Sequence, residues 1–421
     1  MPTSPQTSSR QHALAPVLSL LLSVGILLIG NGLQATLIAV RGGLEGLSAD
    51  QLGFVQAGYF MGFVAGSLAC AHIIERAGHI RAFSALASIA SAATLGHILI
   101  FDWPAWMALR LVTGFCFAGL FVVIESWLNA TATNEVRGQV FSAYMVVNLL
   151  ALTLGQLLMM TAQPSGYVLF CVASIIISIA LVPVSMTRSA TPAITEAKLA
   201  SIRELFKISP LGVFACGAHG LAMSAAWALG PVFGQKIGLE ADKIGLFMGA
   251  WFLGGFLLQW PVGWLSDRMD RRWVIAGLAV VTAFIAVAIP FAAPSWWLLL
   301  GLTVLFGAAS FPIYSLTVAH VNDLIPRDDM VAVSSALLLI QGAGSSAGPI
   351  IAGLVMGWLG AGGLYQYITV IFAAIAAFAI LRMVRRGPVP ETNHEHFQPS
   401  AATTPQIFAL DPRGETDHKP G

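Results

Sequence analysis

The stretch Gly263-Trp-Leu-Ser-Asp-Arg-Met-Asp-Arg-Arg272 holds five charged side chains within the six residues from Asp267 to Arg272. Only 10% of the 421 residues are charged, and long apolar runs flank the stretch on both sides. A basic patch for nucleic acid or lipid headgroups is one interpretation. The net charge of +1, however, provides no field that would attract an acidic polymer. The cluster therefore needs an explanation within the protein, and nucleic acid is not an expected partner.

The composition is that of an integral membrane protein. Hydrophobic residues make up 57% of the chain and charged residues only 10%. In a soluble domain, charged residues make up about 25%. The first apolar run extends from about residue 13 to residue 40. It is longer than the core of a cleaved signal peptide, about 7 to 15 residues. We therefore predict a retained first transmembrane span.

The four cysteines indicate no covalent or metal framework. Cys70, Cys116, Cys171 and Cys216 each stand alone in an apolar run, and none has CxxC spacing. Disulfide frameworks and zinc sites both require paired cysteines at characteristic spacings. We expect no disulfide, no metal and no cofactor.

The apolar runs predict the fold. A helix needs about 20 apolar residues to cross a bilayer, and twelve runs of about that length remain when the chain is divided at charges, prolines and glycine clusters. Their bounds are 13–40, 51–72, 82–101, 105–128, 139–162, 166–187, 209–233, 244–266, 273–292, 296–321, 331–358 and 364–384. We number these runs spans 1 to 12 and expect an all-α polytopic membrane protein. Pro312 is expected to break span 10.

Basic residues are distributed unevenly between the two sides of the predicted membrane. With the N-terminus inside, the outer loops hold only Arg41, Lys236 and Lys243, and Arg110 lies within span 4. Every other Lys and Arg falls on the inner side. Because cytoplasmic loops carry the excess of basic residues, both termini are expected in the cytoplasm and the protein in the cell inner (plasma) membrane.

The longest internal polar segment divides the spans six and six. It covers residues 188–208, where Leu199, Ile202, Leu205 and Phe206 recur at helical spacing and predict an amphipathic helix on the inner surface. The expected organisation is an N-terminal tail 1–12, a six-helix bundle 13–187, the linker 188–208, a second six-helix bundle 209–386 and a tail 387–421. That last tail is rich in Pro, Thr, His and acidic residues and is expected to be disordered.

The two halves share a sequence pattern at an offset of 192 residues. Asp267 then aligns with Glu75, and Gly46-Leu-Ser-Ala-Asp-Gln-Leu-Gly53 aligns with Gly238-Leu-Glu-Ala-Asp-Lys-Ile-Gly245. A duplicated six-span unit in parallel orientation explains this pattern, and such repeats are a recurring plan of transporters. Two pseudo-symmetric six-helix halves are therefore expected.

Several motifs resemble those of the major facilitator superfamily. The stretch Gly263-x-x-x-Asp267-Arg268-x-x-Arg271-Arg272 and its weaker copy around Glu75 resemble the cytoplasmic signature loop of that superfamily. Arg110-x-x-x-Gly114 is similar to its fourth-helix motif. Gly344-x-x-x-Gly348-Pro349 is similar to its Gly-Pro helix motif, which is usually found in span 5. Val123-Ile-Glu-Ser126, with Phe311-Pro-Ile-Tyr314 and His320, resembles the YcaD-like branch.

The resemblance covers residues 13–386 and implies a secondary transporter that moves a small solute by alternating access. It also implies that spans 1, 4, 7 and 10 line the central path and that the signature loops act as a gate. Some residues depart from the pattern, namely His79, Asp270 and Gly155-Gln156. These departures weaken an inference of drug/proton antiport, so coupling to protons and the direction of transport, including efflux, remain open. A monomer is expected.

Two charged residues lie clearly within a span, and such charges usually face a cavity or a partner. Arg110 and Glu125 are separated by about 22 Å along span 4 and cannot pair directly. Arg110 is interpreted either as a ligand of an anionic solute or as a structural arginine. Glu125 is interpreted either as a gating partner of Arg76, His79 or Arg81, or as a protonation site for coupling.

Polar residues within the spans are the candidate site. The expected cavity residues are Asn31, Gln34, Arg110, Tyr144, Asn148, His219, Tyr314 and Gln341, and the expected gating or coupling residues are Glu75, Arg76, Glu125, Asp267, Arg268, Arg271 and His320. Interhelical hydrogen bonds alone explain part of this set. The histidines can titrate near neutrality, but a lone helix histidine is more often a packing residue.

Two other functions are compatible with parts of the sequence. A non-transporting receptor or sensor on the same fold is the main alternative. An intramembrane hydrolase is a distant third, because Gly344-Ser-Ser-Ala-Gly348 matches the GxSxG spacing. That motif needs a strand-turn-helix elbow, whereas here it lies within a long apolar helix. The sequence also contains no P-loop motif, so ATP is not expected to drive transport. We expect a transporter that is not an enzyme.

Overall fold

The computed structural model describes residues 5–132, 136–186, 200–385, 397 and 403–410. Within these residues, twelve helical segments are long and apolar enough to cross a membrane, which confirms the predicted all-α polytopic fold. They are Pro16–Leu44, Ala49–Ala77, His79–Leu99, Trp103–Thr131, Arg137–Met160, Val168–Ser185, Pro210–Lys236, Ala241–Ser266, Arg271–Phe291, Trp296–Asn322, Met330–Leu359 and Gly363–Arg385. We keep the numbers spans 1 to 12 for them.

Three spans are built from more than one helical segment. The helix that contains span 1 begins at Pro5, ahead of the apolar segment that begins at Pro16. Span 5 ends in a 3-10 turn, Leu158–Met160, and span 6 consists of the helices Val168–Ile179 and Leu181–Ser185. Span 10 consists of Trp296–Ser310 and Pro312–Asn322. The break at Pro312 was predicted, because proline has no N–H for the helical ladder.

The sequence repeat is also a structural repeat. Gly46 and Gly238 end the turns after spans 1 and 7, and both have φ of 84°. That left-handed conformation is strained for any residue with a Cβ. In each turn the next residue closes the same bond, from Leu47 N to Gly42 O at 2.9 Å and from Leu239 N to Gly234 O at 3.0 Å. The two halves therefore begin with the same turn at equivalent positions.

Glycines bring spans 2 and 8 against spans 4 and 10. A Cβ at Gly62 would collide with the backbone carbonyl of Leu111, and one at the equivalent Gly254 would collide with that of Val304. Close backbone approach of this kind is typical of small-residue stripes in membrane helices. It makes a tightly packed pair of spans within each half.

The two halves touch closely at the ends of the spans that carry the turns at Gly46 and Gly238, which we call the outer end. Gly53 of span 2 packs on the backbone at Pro349 of span 11, and Gly245 of span 8 packs on the backbone at Gln156 of span 5. These contacts are equivalent under the repeat. The opposite end, which carries the loops around Gly78 and Asp267, is called the inner end.

Two shorter helices lie at the inner end. Ile202–Ile208 falls within the predicted linker, with Leu205 buried and Ile202 and Phe206 exposed. A 3-10 helix, Pro405–Leu410, packs on spans 4, 5 and 11. The latter differs from the expected disorder of residues 387–421. Ile407 and Phe408 explain the difference, because both side chains are buried between the halves.

Candidate functional site

A cavity of about 620 Å³ lies between the two halves. Spans 1, 2, 4 and 5 line it on one side and spans 7, 8, 10 and 11 on the other. The close contacts at Gly53 and Gly245 close it at the outer end, while Thr403 of the C-terminal tail lines it at the inner end. The position between the halves is where a rocking transporter holds its solute.

Five of the eight predicted cavity residues line the cavity: Asn31, Asn148, His219, Tyr314 and Gln341. All five are buried in the bundle. The Asn31 amide donates to the Tyr59 hydroxyl at 3.0 Å, and the Asn148 amide donates to the backbone carbonyl of Tyr144 at 2.9 Å. His219 Nε2 lies 3.2 Å from the carbonyl oxygen of Ser310. These bonds fix where the polar groups point.

Several polar atoms of the cavity have no hydrogen-bond partner among the described residues. Those that the spans contribute are Asn31 Oδ1, His219 Nδ1, Trp227 Nε1, Trp251 Nε1, Tyr314 Oη and Gln341 Oε1. Buried polar atoms are nearly always paired in folded proteins. Such a concentration in one cavity indicates a surface built to bind something that carries hydrogen-bonding groups.

Aromatic rings form much of the cavity wall, and apart from Tyr314 they were not predicted as site residues. Trp227 of span 7 lies 6.1 Å from Tyr59 and 6.0 Å from Phe60 of the other half, and 6.1 Å from Phe252 of span 8, measured between ring centroids. Trp227 therefore joins the two halves across the cavity. Within an apolar run, nothing in the sequence separates such a ring from one that faces lipid.

Arg110 is not a lining residue of the cavity. Its guanidinium carbon lies 4.4 Å from the centroid of the Tyr59 ring, and it is that ring which borders the cavity. Arg110 is only 2% exposed, and its Nε and Nη1 have no hydrogen-bond partner among the described residues. The arginine is thus held by a cation–π contact behind the wall.

Two further predicted cavity residues also lie outside the lining. Gln34 is fully buried within its own half and donates to the Thr94 hydroxyl at 2.9 Å. Tyr144 points towards span 4, where its hydroxyl donates to Glu125 Oε1 at 2.5 Å. Both residues bond one span to another, which was the alternative interpretation of the polar set.

Glu125 does not pair with the residues predicted as its gating partners. It is fully buried, and besides the bond from Tyr144 it accepts a hydrogen bond from the Thr404 hydroxyl of the tail. Arg76 and Arg81 are exposed at the inner end, while His79 Nε2 lies 3.1 Å from the Ser126 hydroxyl. The structure therefore brings Glu125 together with hydroxyl groups and not with the signature loop.

The charges of the stretch from Gly263 to Arg272 are paired largely within the protein. Arg271 is 1% exposed, and its Nε donates to Asp323 Oδ2 at 2.7 Å. Its Nη1 donates to the Ser266 hydroxyl at 3.1 Å and lies 3.4 Å from Asp267 Oδ1. Arg268 stacks on Trp264, with 3.7 Å between the guanidinium carbon and the ring centroid. Spans 8, 9 and 10 are held together by this network.

Asp270 starts span 9 as its N-terminal cap. Its carboxylate accepts from the backbone N–H of Arg272 at 3.0 Å and pairs with the Arg272 side chain at 2.6 Å. Partial burial opposes ionisation of this carboxyl, but the hydrogen bonds from Arg272 outweigh it, so the pKa of Asp270 lies below its usual value. The charges of Arg272 and His320 act in the same direction.

The charged side chains of the first signature loop, around Glu75, are more exposed to solvent than those of the second loop. Glu75 and Arg76 are exposed, and Glu75 Oε2 lies 3.8 Å from His72 Nδ1. Exposed pairs of this kind contribute little to stability. The described residues thus show a clear asymmetry between the loops of the two halves.

One edge of the cavity reaches the side of the helix bundle. Phe256, Leu257 and Trp260 of span 8 line the cavity, yet they are 37%, 52% and 77% exposed. Met145 and Val146 of span 5 line the same edge. We call this edge the lateral edge; it lies on the surface that a membrane span presents to lipid.

Comparison with known proteins places these features in a family. A family model described as Major Facilitator Superfamily matches residues 20–241 and 212–413. The chain is 30% identical over 349 residues to the "Uncharacterized MFS-type transporter YcaD" of Salmonella newport, covering 81% of this chain and 89% of that protein. It is 28% identical over 343 residues to the protein of the same name from Escherichia fergusonii, with the same coverage.

Two solved structures share the fold. The nucleoside transporter NupG superposes with a TM-score of 0.71 at 11% identity, over 96% of this chain and 100% of that one. A bacterial homolog of the human lysosomal transporter Spinster, in an inward-facing and occupied conformation, superposes with a TM-score of 0.68 at 17% identity. That match covers 95% of this chain and 100% of the other.

Proposed function

The chain belongs to the major facilitator superfamily, and from that premise we propose that it moves a small solute across the inner membrane by alternating access. The observation that carries the proposal is the cavity between the halves, closed at the outer end by the equivalent contacts of Gly53 and Gly245. Small shifts at tightly packed contacts are a known way to switch between two packings. In this proposal the inner end faces the cytoplasm.

The inner signature loop is proposed to act as the gate. Arg271 ties span 9 to span 10 through Asp323 and to the end of span 8 through Asp267. When the outer end opens, the inner ends of the halves must approach each other, and Asp267 lies where such an approach would occur. Asp267→Asn is expected to change the transport rate while leaving expression near normal; an unchanged rate would count against the gate.

Coupling to protons is proposed to run through Glu125. Its described hydrogen-bond partners, the hydroxyls of Tyr144 and Thr404, are neutral. A buried carboxyl among neutral donors can exist in either protonation state as water gains access. Glu125→Gln should therefore retain exchange of labelled solute between vesicle interior and medium but lose accumulation driven by a pH gradient. Accumulation at the wild-type level would contradict the coupling role.

The experiment that tests transport itself starts from a thermal-shift screen of the purified protein against metabolite classes. Each compound that raises the melting temperature is then tested for uptake into proteoliposomes, with empty liposomes as the control. Saturable uptake supports the proposal. Binding without uptake would favour the alternative, a receptor on the same fold, whereas uptake that does not saturate would indicate a channel.

A further inference from the structure

The described cavity lining carries no charged side chain. Its polar groups are amides, hydroxyls, indoles and one imidazole, and six of the atoms that the spans contribute have no hydrogen-bond partner among the described residues. The indole nitrogens of Trp227 and Trp251 can only donate, while the free oxygens of Asn31 and Gln341 can only accept. The lining therefore offers neutral donors and neutral acceptors within one mostly apolar enclosure.

This combination discriminates by charge. An uncharged ligand that matches these donors and acceptors satisfies atoms that are otherwise buried without partners. An ionised ligand would lose its hydration and find no opposite charge in the lining, which is costly in an apolar enclosure. The volume of about 620 Å³ falls in the range of sites for drug-sized molecules, about 300 to 1,000 Å³.

We propose that the cavity binds an uncharged amphipathic molecule with a flat apolar face and at least one hydrogen-bonding group. The face packs against Trp227 and Phe252, and the polar part meets Gln341, Tyr314 or Asn31. This inference rests on the proposed function only for the identification of the cavity as the solute site.

Among the described residues, Arg110 is the nearby cation that could reverse this preference. It lies behind the Tyr59 ring, whose face it contacts at 4.4 Å. Because the Tyr59 hydroxyl also accepts from Asn31, the ring is held in place by both neighbours. An anion in the cavity would have to displace that ring to reach the guanidinium group.

Two fluorescent probes with the same aromatic skeleton test the charge preference. N-phenylnaphthylamine is neutral, and anilinonaphthalene sulfonate adds a single anionic group. Binding to the full chain in lipid nanodiscs is measured by titration, with empty nanodiscs subtracted to remove partition into lipid. The neutral probe is expected to bind saturably and at least about tenfold more tightly than the sulfonate. Gln341→Lys, which adds a cation to the lining, should remove or invert that preference.

Other results would overturn the proposal. If the sulfonate binds as tightly as the neutral probe, and Arg110→Gln abolishes its binding, Arg110 serves the cavity and the solute is an anion. If neither probe binds saturably, the cavity does not have the assigned recognition. Binding of the neutral probe without any transport of solutes leaves the ligand class standing while the transport proposal fails, so the two are distinguishable.

A second, independent observation concerns the C-terminal tail. Thr403 and Thr404 are buried at the inner end of the cavity, and the side chains of Ile407 and Phe408 are 0% and 4% exposed between spans of both halves. The Thr404 hydroxyl bonds to Glu125. Further back in the tail, the Phe397 amide donates to Asp267 Oδ1 at 2.8 Å.

The tail thus contacts both residues that the proposed function uses at the inner end. It occupies one oxygen of the Glu125 carboxyl and one oxygen of the Asp267 carboxyl. Its apolar side chains fill space between the halves. That space must become smaller if the inner ends of the halves are to approach each other. The same segment therefore blocks the route from the cavity and hinders the change of state.

We infer that the segment Thr403–Phe408 is an autoinhibitory plug, which must leave before the carrier can turn over. A single cysteine at Ser67, which lines the cavity, reports access when the four native cysteines are replaced. Labelling by a hydrophilic maleimide is followed in nanodiscs. The double variant Ile407→Asp/Phe408→Asp should label on the order of tenfold faster, because the charged side chains cannot remain buried.

The matched control is Thr392→Val, a conservative change in the same tail. Thr392 lies outside the described residues, and its substitution should leave the labelling rate unchanged. Equal rates for wild type and the double variant would overturn the plug. A faster rate in the control as well would show that any change in the tail opens the cavity, which would overturn the assignment to this segment. Neither measurement depends on the identity of the solute.

Discussion

Substitution of Gly245 by alanine should open the outer end of the protein. A methyl group at this position would lie 2.6 Å from the carbonyl oxygen of Gln156, well inside van der Waals contact. Overpacking of this kind costs about 1–3 kcal/mol, and only the outer-closed state contains the contact. The ratio of closed to open molecules should therefore fall by about 5- to 150-fold. An open state populated at about 1% would rise to between about 5% and 60%.

The measurement is the distance across the outer end. Spin labels at cysteines replacing Glu45 and Glu240, which are exposed on the turns after spans 1 and 7, report it by double electron–electron resonance. The control is Gly277→Ala, because a Cβ at Gly277 has no atom within 4 Å. It carries the same gain in helix propensity, about 1 kcal/mol, without the clash. Identical distance distributions in the two variants would refute the idea that this contact holds the outer end closed.

Three further outcomes follow from the inner end and from span 11. Asp323→Ala leaves the guanidinium of Arg271 buried without its closest carboxylate and should cost about 3 kcal/mol of stability; a melting temperature equal to that of wild type would refute the pairing. The pKa of Asp270 is lower in the folded protein than in the unfolded chain, where it is about 4. The ionised carboxylate therefore stabilises the folded protein above about pH 4, and this stabilisation is lost as the pH falls through the pKa of the folded state. The stability difference between wild type and Asp270→Asn should therefore shrink below pH 4, and a difference independent of pH would contradict this. Ser346→Ala should leave solute uptake within about twofold of wild type, since the hydroxyl donates to the backbone carbonyl of Gly342 in its own helix; loss of uptake would revive a catalytic serine.

The sequence was sufficient for those features that depend on local patterns. The length of apolar runs located all twelve spans, because the thickness of the bilayer sets a single required length. The repeat that aligns Gly46 with Gly238 predicted two equivalent six-span halves, and the two glycines form equivalent turns, since only glycine adopts their left-handed backbone without strain. Polar residues in apolar helices were predicted to face a cavity because their burial in lipid is costly. Gln341 and Tyr314 do line the cavity.

The sequence was insufficient where the rotation of a helix about its own axis decides the outcome. Arg110 and Trp227 lie in spans that are apolar on nearly all sides, so hydropathy gives no preferred direction for either side chain. The first proved to lie behind the cavity wall and the second on it. The tail could not be assigned either, because two apolar residues, Ile407 and Phe408, are too few to stand out from its polar composition.

The lateral edge at Phe256, Leu257 and Trp260 has a consequence for how the concentration of a solute should be expressed. A molecule that reaches the cavity through this edge arrives from the lipid, where an amphipathic compound accumulates far above its level in water. Apparent affinity in a series of compounds would then follow the lipid–water partition coefficient as well as the fit to the cavity. Multiplying the measured half-saturation constants by the lipid–water partition coefficient would express them as concentrations in the membrane. The two contributions would then be separated, and weak recognition would become visible behind strong partitioning.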